Sequence, residues 1–173
     1  MEHATILEFL GQYTTDIPVS VQQGIIENIL YDAKNFQHVT FVTRFPAVVP
    51  FADLLRFEQA TGVALGIECF KIDCRYAPEL FNPESYPIVI EMLKRDLPII
   101  NGFLNHAELD WQEDALHIQL QNGGYSILEK FRFTHKLEEF VKLHFDRHIK
   151  IKMEVADFLS PEELESRIPT KSP

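Results

Sequence analysis

Two histidines are the first residues whose types and spacing suggest chemistry. His144 and His148 lie four residues apart, which can place two imidazoles on one face of a helix, as in zinc sites. A zinc protease motif needs glutamate directly after the first histidine, and Phe145 occupies that position. No third ligand accompanies the pair. We therefore interpret His144 as the end of a buried helical stripe and His148 as a residue at the helix end, and we predict no metal site.

The carboxylates and thiols of the chain also lack a catalytic setting. Glu113 and Asp114 are adjacent, but they fall in a predicted hairpin turn, where acidic side chains are solvated. Cys69 and Cys74 share one predicted strand, and neither has the basic neighbours that activate a thiol. Nucleophile-elbow, phosphate-loop and dinucleotide-binding motifs do not occur. The sequence therefore predicts neither an enzyme nor a bound cofactor.

A run of basic and aromatic residues between positions 128 and 152 is the strongest candidate for a binding surface. Bases outnumber acids there by seven to four, whereas the whole chain has a net charge of −10. Basic and aromatic side chains together suit single-stranded nucleic acid, through phosphate contacts and base stacking. The alternative is that the bases are only the solvated faces of a helix and a strand. The candidate nucleic-acid-binding residues are Lys130, Arg132, Lys136, Lys142, Arg147, Lys150 and Lys152.

These candidates lie beside the most regular pattern of the chain. Apolar and polar residues alternate over 107–112 and again over 115–120, which predicts a hairpin with one buried face. Ser126 and Glu129 have the spacing of a capping box and predict the start of a helix. Helical spacing of apolar residues over 137–145 and alternation over 149–155 predict a further helix and strand. The residues predicted to face the core of the hairpin are Ala107, Leu109, Trp111, Leu116, Ile118 and Leu120.

The first half of the chain shows a similar order of elements. Strands are predicted over 24–32 and 37–45, a helix after Pro50, and a strand over 67–76. The fold class predicted is α+β, with two small antiparallel-sheet domains. We place the first domain at residues 1–78 and the second at 79–157, followed by a short helix and tail over 158–173.

Composition indicates the compartment. No apolar run approaches 18 residues, so no membrane span or membrane partner is predicted. The first ten residues contain no lysine or arginine and do not match a secretory signal. With two cysteines predicted to be unpaired, these features indicate a cytoplasmic protein.

The second predicted domain resembles a type II KH-like domain. Its order is helix–strand–strand–helix–helix–strand (αββααβ), and RNA-binding KH domains carry a GxxG loop between the two consecutive helices. Here that junction reads Phe-Arg-Phe-Thr-His-Lys over 131–136 and contains no glycine. The resemblance therefore implies the fold without the RNA-binding loop.

A longer resemblance extends over residues 25–157. The strand pair leading through Val49-Pro50-Phe51 into a helix, the Phe70-Lys71-Ile72 strand, and the Asn101-Gly102-Phe103-Leu104 segment carry it. Together they resemble the N-terminal region of PolC-type DNA polymerase III α subunits of Gram-positive bacteria. In that family the polymerase and exonuclease domains lie downstream, so the resemblance implies a non-catalytic segment of a longer protein.

Two hypotheses follow for function. The resemblance implies an interaction region that tethers the polymerase to replisome proteins, such as the clamp-loader tau subunit, and to the rest of the polymerase. The alternative hypothesis is a single-stranded DNA-binding module that uses the basic residues between 130 and 152. The first predicts an exposed apolar patch on one domain, and the second predicts that the seven bases converge on one surface.

Overall fold

The computed structural model describes residues 4–32, 34–100, 102–121 and 123–156 and shows an α+β protein with two small sheets. The predicted helix and tail over 158–173 lie outside the described residues. Each sheet has three strands, and each is built from a hairpin, a helical connection and a third strand. We call these the first unit, residues 4–76, and the second unit, residues 78–156.

The first unit begins with two short helices and continues through a ββαβ arrangement. The helices are α1 (Ile6–Leu10) and α2 (Val19–Gln22). Strands β1 (Ile25–Asp32) and β2 (Asn35–Arg44) form the hairpin, α3 (Phe51–Leu65) follows, and β3 (Cys69–Arg75) completes the sheet.

The second unit repeats this plan with more helices. Helix α4 (Tyr86–Lys94) precedes the hairpin of β4 (Glu108–Trp111) and β5 (Ala115–Leu120). Helices α5 (Tyr125–Lys130) and α6 (Phe133–Phe145) then lead to β6 (Lys150–Val155). Short 3-10 turns occur at Pro78–Leu80 and at Pro98–Ile100, so the proline at position 98 begins a new turn after α4 has ended.

Both sheets are mixed, which corrects the prediction of antiparallel sheets. The hairpin pairs β1–β2 and β4–β5 are antiparallel, but β3 runs parallel to β2 and β6 runs parallel to β5. The reason lies in the connections. A helix between two strands returns the chain to the end from which it started, so the next strand runs in the same direction. Residue alternation reports the buried face of a strand and carries no information about its direction.

The two units meet where the end of β3 contacts the end of α6. The backbone N–H of Tyr76 donates to the carbonyl of His144 at 2.7 Å, and the guanidinium of Arg75 donates to the carbonyl of Leu143. The rings of Tyr76 and Phe145 pack with their centroids 4.9 Å apart. The last carbonyls of a helix have no hydrogen-bond donors within the helix. Residues at the end of β3 supply donors for these carbonyls of α6.

Most of the residues predicted to face the core are buried or partly buried. In the second unit Leu116, Ile118 and Leu120 are fully buried, and Leu109 and Trp111 are partly buried opposite them. Trp111 packs edge-on against Tyr86 and close to Phe81. In β3 the buried residues alternate from Phe70 through Ile72 and Cys74, while Cys69 is only partly buried.

The predicted capping box at Ser126 is wrong. Helix α5 begins at Tyr125, so Ser126 lies inside its first turn, and Gly124 caps the helix without a side-chain hydrogen bond. Gly124 has a φ of 85°, and an added Cβ would overlap the ring of Phe103. Glycine is therefore required at that position. A capping box occurs instead at α1, where Thr5 and Glu8 satisfy each other's backbone N–H groups at 3.2 and 2.9 Å.

The two capping positions give a paired stability test. Thr5→Ala should lower the free energy of unfolding by about 1 kcal/mol, because it removes an N-cap oxygen. Ser126→Ala should change it by less than about 0.5 kcal/mol, because an exposed serine within a helix makes no cap. Urea denaturation followed by circular dichroism measures both changes. A larger loss for Ser126→Ala than for Thr5→Ala would contradict the helix boundaries described above.

Candidate interaction surfaces

The seven candidate bases do not converge on one surface. Lys130 ends α5, Arg132 precedes α6 with a φ of 54°, and Lys136 lies in the first turn of α6, so these three are neighbours at the α5–α6 junction. Lys142 and Lys150 lie farther along and line a separate open groove beside α6.

The two remaining bases, Arg147 and Lys152, belong to neither of these groups. The guanidinium of Arg147 donates to the carbonyl of Phe81 at 2.7 Å and to the carbonyl of Glu113 at 2.6 Å. These bonds hold the loop before β6 against two distant segments, which is a structural role. Lys152 is exposed on the open face of the second sheet, where it pairs in register with His117 on β5. Lys150 forms an ion pair with Glu138 at 3.1 Å.

The two histidines considered as metal ligands lie on either side of the end of α6 and have different surroundings. His144 lies in the last turn of α6, and its Nδ1 is 2.7 Å from the carbonyl oxygen of Cys74, to which it donates. His148 lies beyond the helix and is exposed. Across the described ranges, no group of three or more histidine, cysteine, aspartate or glutamate side chains is arranged to hold a metal ion.

Burial lowers the pKa of His144 below its usual value. The hydrogen bond to Cys74 and the carboxylate of Asp73, 3.4 Å from Nδ1, act in the opposite direction without reversing the shift. The neutral imidazole is therefore favoured in the folded protein. With the proton on Nδ1, it donates to β3 and helps hold the two units together.

An ion pair between a buried carboxylate and a partly exposed arginine forms a second link between the units. Glu58 of α3 is only 6% exposed, and its carboxylate accepts hydrogen bonds from Arg95, directly after α4, at 2.8 Å and from the backbone N–H of Ile72 at 2.8 Å. Glu58 is not among the residues that the sequence predicted to be functional. Its position one turn after Leu54, on the face of α3 that packs against β3, was the available signal.

Exposed apolar side chains concentrate on the first unit. The closed end of the β1–β2 hairpin carries Leu30, Tyr31 and Phe36, which are 49%, 59% and 65% exposed. The rings of Tyr31 and Phe36 stack at 5.6 Å and 25°, so the two aromatic side chains form one platform. We call these three residues the hairpin patch.

In the described part of the chain, no helix combines the length and the apolar character needed to cross a bilayer. Comparison with known proteins finds no family model that matches this chain, and no similar curated protein or solved structure.

The lowered pKa of His144 predicts a pH-dependent stability. Because its folded-state pKa lies below the unfolded value of about 6.5, the unfolded chain takes up the proton first, and stability falls as the pH drops through that value. We expect the free energy of unfolding in urea to decrease between about pH 7.5 and 5, and His144→Asn to reduce that decrease while keeping an N–H donor.

The matched control is His106→Asn, since His106 is exposed and the chemical change is the same. His106→Asn should leave the pH dependence of unfolding close to that of the wild type. Equal pH dependence in the wild type and in both variants would show that His144 does not titrate differently in the two states.

Proposed function

We propose that this chain is a non-catalytic interaction region of a bacterial replicative DNA polymerase of the PolC type. In this proposal it acts in the cytoplasm, tethers the polymerase to replisome proteins such as the clamp-loader tau subunit, and carries no active site of its own. The resemblance over residues 25–157 supports the family, and the order of elements from α4 to β6 supports a KH-like second unit.

The observation that carries the proposal is the uneven distribution of exposed apolar side chains. Of the fourteen large apolar residues exposed in the described part of the chain, nine lie in the first unit between positions 7 and 63. Exposed apolar side chains that contact one another, as Tyr31 and Phe36 do, are typical of protein interaction sites. The concentration on one unit is what a docking role predicts.

The hairpin patch is the most favourable part of this surface. Aromatic side chains carry much of the binding energy at protein interfaces, since they bury a large area at a small cost in conformational entropy. Tyr31 and Phe36 already stack on each other, so little ordering is needed when a partner covers them. Residues 1–80 hold ten acids and five bases, which favours a partner surface with a positive potential.

Binding to the purified tau subunit of the same organism tests the proposal. The triple variant Leu30→Ser, Tyr31→Ser, Phe36→Ser should weaken binding measured by surface plasmon resonance at least about tenfold, because it removes two aromatic anchors. The substituted side chains are exposed, so thermal unfolding should remain cooperative.

A matched control exists on the second unit. Ile127, Phe131 and Leu143 are 39%, 40% and 55% exposed, and replacing all three with serine removes a similar apolar area elsewhere. We expect this control to bind tau as the wild type does. Absence of tau binding by the wild-type chain, or equal losses in the two triple variants, would overturn docking through the hairpin patch.

A second candidate function, binding of single-stranded DNA, is favoured by the α5–α6 junction. Phe131 is 40% exposed there and lies between Lys130 and Arg132, with Lys136 one turn into α6. An exposed ring flanked by bases can stack on a nucleotide while the bases contact phosphate. Only three of the seven candidate bases are neighbours in this cluster, which limits the number of phosphate contacts.

A salt titration separates the two candidates. Docking through the hairpin patch predicts no binding of this chain to a fluorescent oligonucleotide at about 50 or 200 mM salt, whereas a DNA module predicts affinity that falls steeply between them. Lys130→Glu, Arg132→Glu and Lys136→Glu together should abolish any such binding. Binding that survives the triple reversal would exclude the α5–α6 junction as its site.

A further inference from the structure

The outer edge of β3 faces a cavity rather than another strand. Within a strand, successive residues direct their N–H and C=O groups to opposite sides. Arg75 directs its carbonyl to the chain leaving β2, because it accepts from the N–H of Phe45 at 2.9 Å. Ile72, Cys74 and Tyr76 therefore direct their backbone groups outward, to the side where Ile72 N–H meets Glu58 and Tyr76 N–H meets His144.

Two outward groups on this edge have no hydrogen-bond partner among the described residues. Glu58 satisfies the N–H of Ile72, and His144 Nδ1 donates to the carbonyl of Cys74. Between them, the carbonyl of Ile72 and the N–H of Cys74 make no hydrogen bond to any residue that the structure describes. An unsatisfied acceptor, the carbonyl of Ile72, therefore precedes Asp73, and an unsatisfied donor, the N–H of Cys74, follows it.

The cavity beside these groups has a volume of about 180 Å³. It lies between the edge of β3, the start of α3, the end of α4 and the last turns of α6. Its apolar wall consists of Phe51, Leu54, Ile72, Met92 and Phe140. A protein cavity of roughly 150 Å³ holds a benzene molecule, so this one has room for one aromatic or aliphatic side chain.

The charges around the cavity indicate the kind of occupant. Glu58 is paired with Arg95, and Asp73 with Arg75. Lys71 and Asp96 also line the cavity, and neither has an ion-pair partner among the described residues. A backbone donor, a backbone acceptor, an apolar wall and two charges of opposite sign complement a segment of peptide better than they complement an ion or a purely apolar molecule.

We propose that this cavity binds a short extended segment of a partner protein, which adds to the edge of β3. One residue of the segment lies opposite Asp73, donates its N–H to the carbonyl of Ile72 and accepts from the N–H of Cys74. That pattern is parallel pairing, so the segment runs parallel to β3. The residue next to it in the segment directs its side chain to the face of Ile72 and Cys74, and this side chain, of leucine or phenylalanine size, fills the cavity. This inference concerns a different surface from the hairpin patch and does not depend on it.

The test measures the binding of two synthetic peptides to the isotope-labelled full chain. The probes are acetyl-Thr-Val-Phe-Val-Thr-amide and the same peptide with alanine at its centre. We expect the phenylalanine peptide to shift the Cys74 amide resonance in a saturable way at millimolar concentration. The alanine peptide should bind at least about tenfold more weakly, because it leaves the apolar cavity unfilled.

A pair of variants on β2 locates the site. Thr40 lines the cavity, whereas Val42 lies two residues along on the same face of the strand and does not. Thr40→Trp should fill the cavity and abolish binding, while Val42→Trp should bind as the wild type does. Thermal unfolding checks both variants, and the comparison of the two peptides on the wild type decides the question even if Thr40→Trp does not fold.

Three results would overturn the proposal. The first is an unchanged Cys74 resonance at about 10 mM of the phenylalanine peptide, a concentration well above that for weak specific binding. The second is equal affinity for the two peptides. The third is an identical response to indole alone, which would make the cavity a small-molecule pocket.

Discussion

The contact between the end of β3 and the end of α6 is the interaction on which the whole arrangement depends. Each unit is a three-stranded sheet too small to bury both its faces and its ends. At the contact, the backbone of Tyr76 and the side chain of Arg75 satisfy the last carbonyls of α6, and the imidazole of His144 satisfies a carbonyl of β3. The bonds are reciprocal, so neither element is complete without the other. The buried rings of Phe145 and Tyr76 pack against each other beside these hydrogen bonds.

The ion pair between the buried Glu58 and the partly exposed Arg95 extends the same principle along the same edge of β3. Burying a carboxylate is costly unless its oxygens are paired and hydrogen-bonded, and here both oxygens have partners. One of those partners is the backbone N–H of Ile72, so the carboxylate also holds α3 against the edge of β3. Polar contacts therefore define where the units join, while the hairpin patch lies at the closed end of the β1–β2 hairpin.

Much of this fold could be predicted from the sequence, and the parts that could not share a physical reason. Alternation in 115–120 and helical spacing in 137–145 report burial directly, and the structure has a strand and a helix there. Strand direction depends on where a connection ends, which local pattern does not encode. The error at Ser126 arose because Gly124, held against Phe103, fixes the start of α5. The roles of Glu58 and Arg147 depend on partners 37 and 66 residues away, beyond the reach of any local motif.

The parallel strands also determine the order in which the molecule can fold. Each hairpin pairs strands that are adjacent in the chain and can close within microseconds. Strands β3 and β6 must find partners across a whole helical connection, as when Cys69 meets His38 and Lys150 meets Ala115. Closing such loops costs entropy before any contact compensates for it, so these pairings limit the rate. During synthesis, β3 can dock before α6 has left the ribosome. The outer edge of β3 then stays uncovered until α6 has been made and packs against it.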